Sequence, residues 1–147
     1  MASTPRILLL AGALALAQIA PAAANTLLVG NKSGQSVFVL DLASGEKRAE
    51  FATGVGPHEI VISPNGGLAV VANYGASTAG NTLTVIDLAT ATVARTVDLG
   101  EHTRPHGLRF LPDGRHVLAT TEGDGSLTEA DVIGGTVLRS LPTKPWL

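Results

Sequence analysis

Apolar residues run along this chain in short unbroken blocks, and polar, turn-forming residues divide the blocks every ten or so positions. "EIVIS" from Glu59, "LAVVA" from Leu68 and "LTVIDL" from Leu83 are such blocks. None has the three-and-four spacing of an amphipathic helix, and β-branched residues dominate the first, so the pattern predicts strands. A run without alternation predicts a strand covered on both faces. Between blocks, "SPNGG" from Ser63 and "LPDGR" from Leu111 set Pro before Asn-Gly or Asp-Gly. Pro presets φ and Gly accepts the positive φ of a tight hairpin, so each predicts a turn between antiparallel strands.

The blocks repeat. "PHEIVISPNGGLAVVANYG" from Pro57 can be laid over "PHGLRFLPDGRHVLATTEG" from Pro105 almost without a gap. After the first comes "NTLTVIDLATATVARTVDLG", two more strands around a short connection, which makes a unit of four antiparallel strands. "TLLVGNKSGQSVFVLDLASGEKRAEFATG" aligns with everything except the first strand of that unit. Asp41 and Asp87 are 46 residues apart, Asp87 and Asp131 are 44 apart, and Pro57 and Pro105 are 48 apart. A period in the forties with four strands per unit predicts propeller blades. The expected fold is all-β: a partial β-propeller of four-stranded antiparallel blades at about 26–54 (incomplete), 57–100 and 105–141. Because closed rings have about four to eight blades, this count predicts a truncated or split propeller.

The first two dozen residues read differently. "MASTPR" carries one positive charge at Arg6, "ILLLAGALALAQIA" is an apolar core, and Ala22 to Ala24 meet the small-residue rule for signal peptidase. The apolar run is shorter than the roughly 20 residues that span a bilayer. Residues 1–24 are therefore expected to be a signal peptide cleaved after Ala24, and residues 25–147 a domain released to the periplasm or the medium, with no membrane association after cleavage.

Charge and cysteine content narrow the chemistry. The formal net charge is −2, and loss of Arg6 with the leader makes it more negative. No basic stripe remains, so nucleic-acid binding is not expected. The chain has no cysteine, which excludes disulfides, thiolate metal sites and haem attachment through C-x-x-C-H. No nucleophile elbow, phosphate loop or H-E-x-x-H pattern occurs. No cofactor and no catalytic residue is expected from motifs of this kind.

From Pro57 to Gly100, "PHEIVISPNGGLAVVANYGASTAGNTLTVIDLATATVARTVDLG" resembles the YVTN-type β-propeller repeat, with its Pro-His opening, Pro-Asn-Gly turn, Val-x-Asn strand and Val-Ile-Asp strand. The resemblance extends from Thr26 to about Leu141. It implies extracytoplasmic binding proteins and surface-layer components, or lactonase-like and quinoprotein-dehydrogenase-like chains. Asn31 and Asn73 keep the strand Asn, whereas Thr121 replaces it in the last unit. Glu129 stands where Val39 and Val85 stand in the other units. A buried unpaired carboxylate costs several kcal/mol, so Glu129 is expected to face solvent, find a partner or mark an edge strand.

In a blade, the loop entering the innermost strand and the loop between the second and third strands share one rim. "GVGPHE" then brings His58, "GEHTRPHG" brings Glu101, His102, Arg104 and His106, and "NYGASTAGN" and "TTEGDGS" bring Asn73, Tyr74, Glu122 and Asp124. His58 and His106 hold equivalent positions and are expected to converge. The ligand-binding candidates are His58, His106, Arg104, Asn73, Tyr74 and Glu122. Each also has a structural reading. In it the histidines only pin inter-blade loops, Asp41, Asp87 and Asp131 close strand turns, and Asn31 and Asn73 cap loops. The four extra residues "TAGN" lie on the same rim, where insertions often mark a binding face. No metal is expected, since no carboxylate has a spacing that fixes it beside either His. The leading functional expectation is a non-enzymatic exported binding or interaction module for a protein or small-molecule ligand; the alternative is a fragment of a lactonase-like or quinoprotein-dehydrogenase-like enzyme. Two and a half blades leave apolar faces bare, so self-association, or a partner supplying the missing blades, is expected as well.

Overall fold

The computed structural model of the chain describes residues 25–143, so the leader-like segment of residues 1–24 lies outside the described residues. Three antiparallel sheets make up the fold, and no helix occurs among the described residues. The first contains β1 (Thr26–Asn31), β2 (Ser36–Asp41) and β3 (Lys47–Ala52). The second runs β4 (Pro57–Ile62), β5 (Leu68–Gly75), β6 (Ala79–Asp87) and β7 (Thr92–Asp98). The third runs β8 (Pro105–Phe110), β9 (His116–Thr121), β10 (Ser126–Asp131) and β11 (Thr136–Pro142). These are propeller blades, the first without its innermost strand. β4 lies against both β1 and β8, so the blades fan out from the inner strands.

The hairpin turns form as their residues dictate. The Ser63 carbonyl accepts from Gly66 N at 2.8 Å, with Gly66 at φ +73°, and Leu111 and Gly114 repeat the turn at 3.1 Å and +68°. The strand-closing aspartates each close their turn through Oδ1. Asp41 Oδ1 accepts from the amides of Ala43 and Ser44, Asp87 Oδ1 from Ala89 and Thr90, and Asp131 Oδ1 from Ile133 and Gly134. Their recurrence is turn chemistry.

The unbroken run in β5 is explained by two cores. Ala69 and Val71 face the first blade with Ile86, Val37 and Phe51. Val70 and Ala72 face the third with Leu83, Val85, Val97, Phe110 and Val117. Each buried valine, leucine, isoleucine or phenylalanine contributes about 1.5–3 kcal/mol, so the middle blade holds both neighbours in place.

The two outward faces of the stack differ. In the second blade Val61, Val70 and Val85 stand opposite one another, with Arg95 beyond, and the three valines pack on the third blade. The equivalent row of the third blade is Arg109, Leu118, Glu129 and Arg139. It points away from the second blade, because Val117 and Ala130, one position off, pack on that blade. Glu129 is nearly buried and accepts from Arg139 Nε at 2.6 Å. Of the three outcomes expected for it, the carboxylate finds a partner, and it does so on an interior strand of the sheet rather than on an edge. The first blade is more apolar on its outward side. There Leu27 opposes Leu40 and Val29 opposes Phe38, with Lys47 Nζ 4.7 Å from the Phe38 ring. Bare apolar surface, expected at both ends of the stack, is therefore interrupted by charges at the third-blade end, where Leu118, Leu127 and the 55% exposed Leu141 share the face of Glu129 and Arg139.

Candidate functional site

The rim is built by three repeat positions. The residue after Pro57 and Pro105, on β4 and β8, is His58 or His106. The residue before each Pro is Gly56 or Arg104. The residue after Asn31, Asn73 and Thr121, at the ends of β1, β5 and β9, is Lys32, Tyr74 or Glu122. Backbone bonds fix these loops against one another. Tyr74 N donates to the Gly56 carbonyl at 3.1 Å, and Glu122 N donates to the Arg104 carbonyl at the same distance.

The two histidines converge as their equivalence implies, with ring centroids 4.3 Å apart. Tyr74 joins them, its ring 5.2 Å from His58 and 6.0 Å from His106. The Arg104 guanidinium lies 5.0 Å from the Tyr74 ring centre and Lys32 Nζ lies 5.4 Å from it. Both distances suit attraction between a cation and an aromatic face. The Tyr74 hydroxyl donates to Glu122 Oε2 at 2.7 Å. The third repeat position thus forms a row of cation, ring and anion across the three blades. A hollow of about 420 Å³ beside it is lined by Lys32, Ser33, Gln35, Val55, Gly56 and Tyr74.

Two residues come into the cluster without having been expected there, Lys32 and Glu59. Lys32 was legible as the repeat partner of Tyr74. Glu59 was hidden by strand alternation, which sends neighbours to opposite faces. The inner strands carry a register shift, between Pro57 and Ile60 in β4 and between Pro105 and Leu108 in β8. An extra residue of this kind re-aims side chains. Glu59 Oε1 consequently lies 3.4 Å from His106 Nδ1. The expectation that no carboxylate stands beside either His does not hold, because the bulge and the neighbouring blade supply one.

Asn73 does not reach the rim surface where it was expected. It is 1% exposed, and its amide nitrogen donates to Thr82 Oγ1 at 2.9 Å and Thr84 Oγ1 at 3.0 Å. It braces β5 against β6 beneath the site. Asn31 caps its loop through Gly34 N. His102 and Asp124 pair with each other at 2.6 Å, and Glu101 stays exposed. The "TAGN" insertion is absorbed into the ladder, where β6 starts at Ala79 opposite Gly75.

Electrostatics follow from these contacts. Burial pushes the His58 imidazole below its ordinary pKa, and His106 and Lys32 push it the same way against Glu59 and Glu122. The hydrogen bond to Glu122 raises the Tyr74 phenol, burial adds to this, and Arg104 opposes it. The backbone is left-handed at two non-glycine rim residues: Gln35, which lines the hollow, at φ +53°, and Arg104 at φ +55°, where its counterpart Gly56 adopts +64°. At Gly56 a side chain would force the backbone to shift, since a Cβ would meet the Gly75 carbonyl oxygen at 2.2 Å.

A sequence model of the family described as YNCE-like beta-propeller matches residues 4–137. Among curated proteins none matches the chain by sequence. Among solved structures a chain of Kuenenia stuttgartiensis hydrazine synthase superimposes with a TM-score of 0.71 at 24% identity, over 81% of this chain and 33% of that one. This chain therefore spans about a third of the length of that relative. With 471 solved chains matching, the likeness establishes the architecture and leaves the chemistry to the rim.

Proposed function

The chain belongs to the YNCE-like β-propeller family, and from that premise we propose that it is an exported binding module of the YVTN-repeat kind whose rim, centred on Tyr74, holds a small polar or anionic ligand. Export rests on the n-region, apolar core and Ala22–Ala24 site of the leader. Binding rests above all on Arg104. A left-handed backbone costs a non-glycine residue roughly 1–2 kcal/mol, and glycine would remove that strain at once. The chain keeps an arginine there, with its guanidinium over the sole tyrosine. Lys32 on the same ring and the hollow beside it supply a second cation and room for a ligand.

Because Tyr74 is the only tyrosine, its labelled ring gives one NMR signal that reports on the rim. Titration with a panel of small carboxylates, phosphates and short acidic peptides is expected to move that signal for at least one class. Arg104→Gly is expected to abolish the movement while the chain stays folded. A Tyr74 signal indifferent to every class, or one that responds equally in the Arg104→Gly chain, would remove the basis for a binding rim.

A further inference from the structure

We propose that His58, Glu59 and His106 form a site for one divalent metal ion of the zinc type, with a coordination position left for an anionic ligand. The inference deepens the reading of the rim as a binding surface and rests on it for the ligand alone.

The four histidines of the chain fall into two classes. His102 Nδ1 is held by Asp124 and His116 Nδ1 by Asp113, each at 2.6 Å, so both have structural partners. His58 has no hydrogen-bond partner among the described residues, and His106 has only the loose 3.4 Å approach of Glu59. Yet one ligand atom from each of His58, Glu59 and His106 lies within 4.8 Å of the others. A modest change of side-chain torsion brings such a set to the roughly 2.0–2.2 Å bonds of imidazole nitrogen and carboxylate oxygen to zinc.

The backbone builds this set deliberately. The bulge in β4 lets the consecutive His58 and Glu59 serve one cluster, and the matching bulge in β8 carries His106. Two imidazoles and one carboxylate suit zinc, copper or nickel better than magnesium or calcium. Three protein ligands leave a fourth position, as in open zinc sites. Lys32, whose Nζ lies 5.4 Å from the neighbouring Tyr74 ring, favours an anion there.

The test is calorimetric titration of the purified full chain with zinc chloride, followed in parallel through its histidine side-chain nitrogen signals by NMR. One equivalent is expected, with His58 and His106 shifting together and His102 and His116 unmoved. His58→Ala and His106→Ala are each expected to weaken binding at least about tenfold, Glu59→Gln by less, and His102→Ala not at all. Should a variant fail to fold, the NMR pattern of the unmodified chain still decides. No heat and no histidine shift at millimolar zinc, or shifts confined to His102 and His116, would overturn the site. A chain that takes no zinc but whose Tyr74 signal still answers organic ligands in chelator overturns the metal site and leaves the binding rim standing.

Discussion

The Tyr74 hydroxyl donates to Glu122 across the seam between the second and third blades, 48 residues apart in sequence. The bond favours the protonated phenol, because ionisation would set two negative charges against each other. Ultraviolet titration of this sole tyrosine is therefore expected to give a midpoint above the ordinary value near 10. Glu122→Gln is expected to bring the midpoint down, whereas an unchanged midpoint would show the bond absent in solution.

Arg104 and Gly56 share a repeat position with opposite tolerances. Arg104→Gly relieves a left-handed arginine but loosens the unfolded chain, so the net change is expected within about 1 kcal/mol of zero. Gly56→Ala adds the same strain and a clash with the Gly75 carbonyl, an expected loss of about 2–4 kcal/mol. Urea unfolding of the two variants side by side gives the comparison.

On the outward face of the third blade, Arg139→Ala strands the nearly buried Glu129 and is expected to destabilise by about 1–2 kcal/mol, less than at a dry site because the arginine is largely exposed. Glu129→Val restores the residue of the second blade and opens an apolar strip. It is expected to leave stability intact but raise the mass seen by light scattering at a given concentration.

Acid should weaken the fold. Asp113 is held at about 2 by the amides of Arg115 and His116 together with the His116 side chain. Asp131 is held at about 2 by Arg115 and the Gly134 and Ile133 amides. For Asp124 burial pushes upward, yet hydrogen bonds from His102, Ser126 and Thr121 outweigh it and also leave it at about 2. Unfolded aspartate titrates near 3.9, so the stabilisation is complete above that value and is lost as pH falls from about 5 towards 2. Urea midpoints at pH 6, 4 and 3 are expected to fall in that order, and Asp131→Asn, which removes one titrating group, to flatten the decline.

If the leader directs export, intact mass of the exported chain is expected to place Asn25 at its start. A chain retaining Met1 or Ala2 in that fraction would count against cleavage.

Much of the fold was legible because its signals are local. Pro64-Asn65-Gly66 and Pro112-Asp113-Gly114 mark turns by their own torsions, and the double-faced burial of β5 is written in four consecutive apolar residues. The meeting of His58 with His106 was legible too, since equivalent residues of adjacent blades must converge. Glu59 was not, because a bulge cancels the alternation that assigns faces. Asn73 misled for a related reason: its neighbour Tyr74 takes the exposed side, and the amide turns inward to two threonines of β6.

The charged row at Arg109, Glu129 and Arg139 has a consequence for how copies of this chain can meet. A stack whose two ends differ in charge has polarity, like a filament with a growing tip and a hindered one. Head-to-tail addition would press Leu27 and Phe38 onto Arg109 and the Glu129–Arg139 pair and strip their water, an open-ended mode that the row penalises. Back-to-back contact through the first blade would cover Lys47 beside Phe38 but no such row, and would be complete at two copies. The row therefore disfavours fibre-like growth, and Glu129→Val is the change expected to lift that restraint.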